Sequence, residues 1–140
     1  MISTKGRYAL RVMLDLAAHS SDTAEQGGKF IPLEEIAKRQ NISKKYLEII
    51  LKVLVQHKIL QGMRGKGGGY RLTRSPADYT VGEILTLTEG NLAVVSCLLG
   101  EGCPREKECQ TLPMWKKFDR ITHDFFFGIT LADLLKGEPT

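Results

Sequence analysis

The sequence predicts a mainly α-helical protein with a small β-wing: a winged helix-turn-helix followed by a long C-terminal helix. Three observations predict it. Two helical segments joined by a short turn occupy residues 32–55, a glycine-rich hairpin follows at residues 60–73, and a long apolar stripe begins beyond Pro113. Periodicity and turn residues of this kind are the signals of such units. The 140 residues suffice for one compact domain or a small domain with an oligomerisation arm.

Charge is divided unevenly along the chain. Residues 1–75 contain 14 Lys and Arg against 6 Asp and Glu, a balance of +8, whereas residues 76–140 contain 6 against 10, a balance of −4. A basic first half suggests that this half meets a polyanion, although a solvated basic face would give the same count.

Several classes of protein are disfavoured by what the sequence lacks. It has no apolar run near the length of a membrane span and no secretory signal, so we expect a cytoplasmic protein without membrane contact. It has no Ser/His/Asp, paired-carboxylate or nucleotide-binding constellation, which argues against an enzyme.

The first predicted helix begins near residue 5 and has one buried stripe. Apolar residues recur at three- and four-residue steps, namely Tyr8, Ala9, Val12, Met13, Leu16 and Ala17. Lys5 and Arg7 lie at its start, where cations oppose the helix dipole. An external anion at this end would relieve that cost.

The next two predicted helices form a helix-turn-helix candidate. The first runs from Pro32 to about Arg39, residues 40–42 make the turn, and Ser43 is a good N-cap for the second. The second helix of such a unit enters the major groove of DNA by its N-terminal residues. Here those residues are Ser43, Lys44, Lys45, Tyr46 and Glu48. An unrelated antiparallel helix pair is the alternative.

A predicted hairpin follows, with strands at residues 60–64 and 70–73. Four glycines at its tip allow positive φ and close approach to another chain. It is placed to grip phosphates or enter a minor groove through Arg64, Lys66, Gly67 and Gly68. A short helix capped by Thr80 then ends near Glu89.

The three cysteines of the chain, Cys97, Cys103 and Cys109, lie in one loop rich in glycine. Their six-residue spacing would scatter them around a helix, but a loop can wrap three thiolates around a soft metal or an iron–sulfur cluster. Ordinary thiols, or one disulfide with a free thiol, are the alternatives.

The stripe of the long helix is rich in aromatic residues. It consists of Trp115, Phe118, Thr122, Phe125, Phe126 and Ile129. Burial against a second copy of the chain is the simplest way to cover it, and packing onto its own domain is the alternative.

In this order the elements resemble the IscR-type family of bacterial winged-helix transcription regulators, in the branch that carries iron–sulfur clusters. The matching stretches are STKGRYA at 3–9, IS at 42–43, YLE at 46–48, RG at 64–65, GGGY at 67–70, VGEI at 81–84 and the cysteine triad. They cover nearly the whole chain.

The resemblance implies a homodimer that binds a two-fold-related site on double-stranded DNA under control of a cluster held by the three cysteines. It implies a role in cluster biogenesis or a related redox response. [2Fe-2S] is favoured over [4Fe-4S]. We expect residues 1–76 to bind DNA and residues 77–140 to carry the cysteine loop (91–112) and the dimerisation helix. Alternatives are a nitric-oxide-sensing or cysteine-metabolism repressor of this family, a zinc-stabilised DNA-binding module and a small electron-transfer protein.

The chain departs from the family at the fourth ligand. In the [2Fe-2S] regulator a histidine follows the third cysteine by three residues, whereas here Leu112 occupies that position. The acidic ligand that nitric-oxide sensors take from the partner's N-terminal region has no counterpart at residues 5–8. The remaining candidates are a partner residue, a small exogenous ligand, Glu101, Glu106, Glu108 and His123.

Overall fold

The structure, a computed structural model, describes residues 2–19, 29–93, 98 and 107–137. Within these ranges the chain forms six helices, a two-stranded hairpin and one 3₁₀ turn. In chain order they are α1 (Thr4–His19), α2 (Leu33–Gln40), α3 (Lys44–Gln56), β1 (Leu60–Met63), β2 (Gly69–Leu72), the 3₁₀ turn (Pro76–Asp78), α4 (Val81–Glu89), α5 (Leu112–Phe127) and α6 (Leu131–Leu135). The predicted mainly helical fold with a small β-wing is confirmed.

The main core is built around α1. Its apolar stripe is buried, with Val12, Met13 and Leu16 fully inaccessible, and α1 contacts α2, α3, α4 and α6. The same core also contains Tyr79 and Leu131 from the second half of the chain. The helix-turn-helix and the C-terminal elements therefore share one core.

The turn between α2 and α3 is held by local hydrogen bonds. Asn41 adopts the left-handed conformation (φ 54°) and ends α2. Ser43 accepts a hydrogen bond from the backbone N–H of Tyr46, as expected of an N-cap, and so begins α3. The predicted boundaries of both helices hold to within one or two residues.

The wing pairs β1 with β2 in antiparallel register, from Leu60 opposite Leu72 to Met63 opposite Gly69. Ile31 adds a third strand-like contact, since its N–H donates to the Tyr70 carbonyl at 2.8 Å and its carbonyl accepts from the Tyr70 N–H at 2.9 Å. The base of the wing is therefore fixed to the segment that leads into α2.

Helix α4 lies between α1 and α5. The Thr80 hydroxyl accepts from the Glu83 N–H, which confirms the predicted cap. A Cβ at Gly6 of α1 would lie 2.4 Å from the Glu89 carboxylate, and one at Gly82 would lie 2.3 Å from the Phe127 ring. Glycine at these two positions thus permits close packing on both sides of α4.

None of the helices within the described ranges has both the length and the apolar character needed to cross a bilayer.

Candidate nucleic-acid interface and cysteine loop

The outward face of α3 is largely polar, and three of its six exposed side chains are lysines. Its inward side is buried at Leu47, Ile50, Leu51 and Leu54. Its exposed positions are Lys44, Lys45, Glu48, Ile49, Lys52 and Gln56. Three of these were predicted as DNA contacts, and the structure places all three in solvent.

Two of the predicted contacts on α3 already have partners within the chain. The Lys44 Nζ lies 3.0 Å from a Glu34 carboxylate oxygen, but both side chains are exposed (59% and 76%), so water screens this pair. The Tyr46 ring is half-buried and packs edge-on against Tyr8, with centroids 5.7 Å apart. Tyr46 thus holds α3 against α1.

A groove of about 320 Å³ separates α3 from the wing. One wall carries side chains of α3 and the other carries residues of the wing. The lining residues are Glu48, Lys52, Val55, Gln56, Gly62, Met63, Arg64 and Tyr70. The structure therefore brings Glu48 and Arg64, two residues predicted separately, to the same groove.

The tip of the wing is an exposed tight turn. Gly68 donates its N–H to the Gly65 carbonyl at 3.0 Å, and Lys66 projects from an exposed position between them. Gly67 has φ 77°. Beyond the wing, the start of α1 carries an exposed Arg7 and a half-exposed Lys5.

A buried carboxylate that the sequence pattern does not single out fixes α1 to the end of α2. The Asp15 side chain is fully inaccessible. It accepts two hydrogen bonds from Arg39, at 2.8 and 3.0 Å, and one from the Gln40 amide at 2.8 Å. Arg11 in turn donates to the Gln40 side chain and carbonyl. This network holds the last residues of α2 in place, directly before the turn into α3.

The pKa of Asp15 lies below its ordinary value of 3.8. Burial acts to raise it, but the hydrogen bonds from Arg39 and Gln40 together with the positive charge of Arg39 outweigh burial. The same pairing raises the pKa of Arg39. The carboxylate is therefore stable in its charged form at neutral pH.

Helix α5 carries large apolar side chains on two faces, whereas its sequence predicts a single stripe. The first face is half-buried and contains Trp115 and Phe126 together with Asp119 and Thr122. The second is exposed and contains Met114 (53%), Phe118 (46%), Ile121 (57%) and Phe125 (56%). At 100° per residue the centres of the two faces are roughly 100° apart on the helix.

The predicted stripe thus mixed residues of both faces and omitted Met114 and Ile121. It also included Ile129, which lies beyond the end of α5 and is only 5% exposed. Ile129 packs with Val81 and Leu85 in a small core cluster. In this structure Ile129 belongs to the interior of its own chain and cannot contribute to an exposed face.

Of the three cysteines, Cys97 and Cys103 lie outside the described residues, as do Glu101 and Glu106. The Cys109 thiol is half-buried just before α5, with its sulfur 3.3 Å from the Thr111 hydroxyl. The donor chemistry fits an iron–sulfur cluster, because thiolates are its usual ligands and a partly exposed thiol is accessible to iron.

The two described candidates for a fourth ligand differ in position. Glu108 is exposed and adjacent to Cys109 in the chain. His123 lies on α5, about 16 Å along the axis from Leu112, and lines a cavity of about 340 Å³ with Asp119 and Leu98. Its ring stacks on Phe127, with centroids 4.3 Å apart.

Comparisons with known proteins agree with this fold. Residues 2–137 match the Rrf2 family, described as iron-dependent transcriptional regulators. The chain is 36% identical over 137 residues to the HTH-type transcriptional regulator IscR of Sodalis glossinidius, covering 98% of this chain and 79% of that protein.

Two solved structures are similar over nearly the whole chain. IscR of T. potens has a TM-score of 0.74 and 34% identity, covering 98% of this chain and 87% of that one. CymR of B. subtilis, described as its global cysteine regulator, has a TM-score of 0.74 and 30% identity, covering 96% and 95%. The chain therefore belongs to the Rrf2 family of transcriptional regulators.

Proposed function

We propose that this regulator is a homodimer that binds a specific, two-fold-related operator on double-stranded DNA, and that an iron–sulfur cluster controls the binding. The groove that α3 shares with the wing carries the proposal, because it offers cations and hydrogen-bonding groups on one surface. Residues 1–76 would contact DNA, and residues 77–140 would carry the cluster and the dimer contact. The protein would act in the cytoplasm, on genes for cluster biogenesis or a related redox response.

Each part of the surface has a role in this proposal. Lys44 and Lys45 contact phosphates or guanine edges, and Glu48 accepts from a cytosine amino group. Arg64 and Lys66, with the tight turn at Gly67 and Gly68, grip the backbone beside the wing. The cations at the start of α1 meet a flanking phosphate.

The dimer contact is the exposed stripe of α5. Met114, Phe118, Ile121 and Phe125 follow a 4-3-4 spacing, which is the heptad seam of two packed helices. A two-fold dimer places its two α3 helices on half-sites one helical turn apart or a multiple of it.

Cys97, Cys103 and Cys109 would hold the cluster, and Leu112 leaves the fourth ligand to another group, of which Glu108 is adjacent to Cys109. When bound, the cluster supplies a centre sensitive to oxidants and nitric oxide. The loop that would hold it leads directly out of α4, which packs on α1 at Gly6 and on α5 at Phe127. Helix α4 therefore contacts both the DNA-binding and the dimerisation elements.

The experiment compares protein prepared without oxygen with protein freed of iron by a chelator. Each is titrated against the tightest-binding duplex selected from a randomised 30-base-pair pool. We expect visible absorbance, iron and sulfide in the first preparation, and a different affinity in the second. Cys103→Ala should remove the absorbance and fix the affinity at the cluster-free value.

Zinc in place of iron and sulfide would favour a zinc-stabilised DNA-binding module. Colourless, metal-free protein that binds its duplex unchanged would overturn cluster control and leave DNA binding intact. That result would favour a regulator of the kind represented by CymR, whose structure is also similar.

A further inference from the structure

Ile49 is an exposed apolar residue in the middle of the outward face of α3. Its exposed fraction is 49%, and within the described residues it packs against neither core cluster. Single exposed apolar residues are common on protein surfaces and need no explanation by themselves. Ile49 differs from such residues because its neighbours on the same helix face are charged and exposed.

Cations lie one helical turn away from Ile49 in both directions. Lys45 precedes it by four residues and Lys52 follows it by three, and both are exposed. Glu48 and Lys52 also line the groove that leads to Arg64 of the wing. Ile49 is therefore an apolar side chain between two exposed lysines on a polar helix face of net positive charge.

The charge around Ile49 favours a duplex over a protein partner. An apolar protein surface placed on Ile49 would desolvate Lys45 and Lys52 without pairing them, which is unfavourable. A duplex instead offers phosphates to both lysines on either side of its major groove. The positive charge of Lys45 and Lys52 thus favours a DNA duplex as the partner of this face.

The floor of the major groove has one apolar group, the C5 methyl of thymine. Its other edges are hydrogen-bond donors and acceptors, and an isoleucine covering them would remove water without replacing its hydrogen bonds. We propose that Ile49 is a specificity-determining residue that selects thymine in each half-site by contact with this methyl group. The inference rests on the proposed entry of α3 into the major groove.

The test uses the full chain, purified without oxygen, and the selected duplex in which each thymine is replaced singly by deoxyuridine. This substitution removes the methyl and leaves every hydrogen-bonding group in place. Loss of one buried methyl corresponds to about fourfold weaker binding. We expect a loss of this size at one thymine in each half-site and little change at the others.

Protein variants then assign the methyl contact. Ile49→Ala should bind the thymine duplex about fourfold or more weakly and lose its sensitivity to deoxyuridine at that position. Alanine favours helix, so α3 should stay folded. Ile49→Val should retain most of the sensitivity, and Leu135→Ala, which shortens an apolar side chain of similar exposure (44%) on α6, should behave as the wild type.

Deoxyuridine sensitivity that is absent everywhere, or that persists in Ile49→Ala, would overturn the inference while DNA binding stands. Failure of the protein to enrich any duplex from the pool would instead overturn the proposed function, and with it this inference.

Discussion

At the scale of single residues, two buried polar side chains hold the helix-turn-helix in position. Asp15 joins α1 to the end of α2. The Tyr79 hydroxyl donates to the Ile59 carbonyl at 2.8 Å and accepts from the N–H groups of Thr73 and Arg74 at 2.8 and 3.0 Å. It thus joins the start and the end of the wing to the segment that precedes α4. Each group is fully paired, as burial of a polar atom requires.

Asp15→Asn should destabilise the protein at neutral pH. The amide keeps the shape but loses the charge, and it directs donors at Arg39, so we expect a loss of about 1.5–3 kcal/mol in the free energy of unfolding. Urea unfolding measures it. Glu34→Gln, which breaks the exposed pair with Lys44, is the matched control and should cost less than about 1 kcal/mol.

The same variant has a definite pH dependence. Because the folded-state pKa of Asp15 is lowered, its contribution to stability is present above its unfolded value, near 3.8, and is lost as the pH falls through the folded value. The difference between wild type and Asp15→Asn should therefore be constant near neutral pH and shrink below pH 3.8. A difference that persists undiminished in acid would exclude the ion pair as its source.

Some residue roles follow from sequence and others do not. The caps Ser43 and Thr80 can be predicted, because each hydroxyl accepts a hydrogen bond from a backbone N–H only three residues later in the chain. Asp15 gave a weaker signal, an acid next to the apolar stripe of α1, and its partners are 24 and 25 residues away. Only the tertiary packing of α1 on α2 brings them together.

At the scale of elements, the wing depends on the close approach of two backbones at Gly69. Its φ is 145°, and a Cβ there would lie 2.2 Å from the Ile31 carbonyl oxygen. Gly65, at the tip, also has positive φ (90°), but a Cβ there would meet nothing within 4 Å. An alanine at Gly65 would therefore suffer only the strain of positive φ, whereas an alanine at Gly69 would suffer that strain and also clash with the Ile31 backbone.

Gly69→Ala should cost more stability than Gly65→Ala. Strain alone accounts for about 1–2 kcal/mol at Gly65, whereas Gly69→Ala also breaks the bridge between Ile31 and Tyr70, for a total of about 3 kcal/mol or more. Urea unfolding of both variants measures the difference. Equal losses would mean that the contact with Ile31 does not stabilise the wing.

The helices and the wing could be predicted because their signals, which are apolar periodicity, capping residues and glycines, lie within the sequence of each element. The two faces of α5 could not. Both stripes repeat with the same helical period, so Phe118 and Thr122 fit one pattern although the first is exposed and the second is half-buried. Ile129 continued that pattern past Gly128, where the helix has already ended.

At the scale of the whole molecule, the exposed stripe of α5 leads to a prediction about assembly. Ile121→Asp places a charge in the centre of the proposed seam and should shift the protein from dimer to monomer in sedimentation velocity. It should also weaken operator binding, since two linked half-sites bind more tightly than one.

Arg120→Asp is the matched control, because it alters charge on the same helix roughly 100° away. It should leave the dimer intact. A dimer that survives Ile121→Asp with its dissociation constant unchanged would place the interface elsewhere.

The position of α6 has a consequence for how the chain matures on the ribosome. Leu131 is fully buried in the same core as α1, and its N–H donates to the Tyr79 carbonyl at 3.1 Å. Helix α1 is thus partly covered by α6, which lies more than 100 residues later in the chain. A nascent chain that has emerged only through the wing has α1 exposed on the side that α4 and α6 will cover, so the helix-turn-helix completes its core only after α6 has also been synthesised.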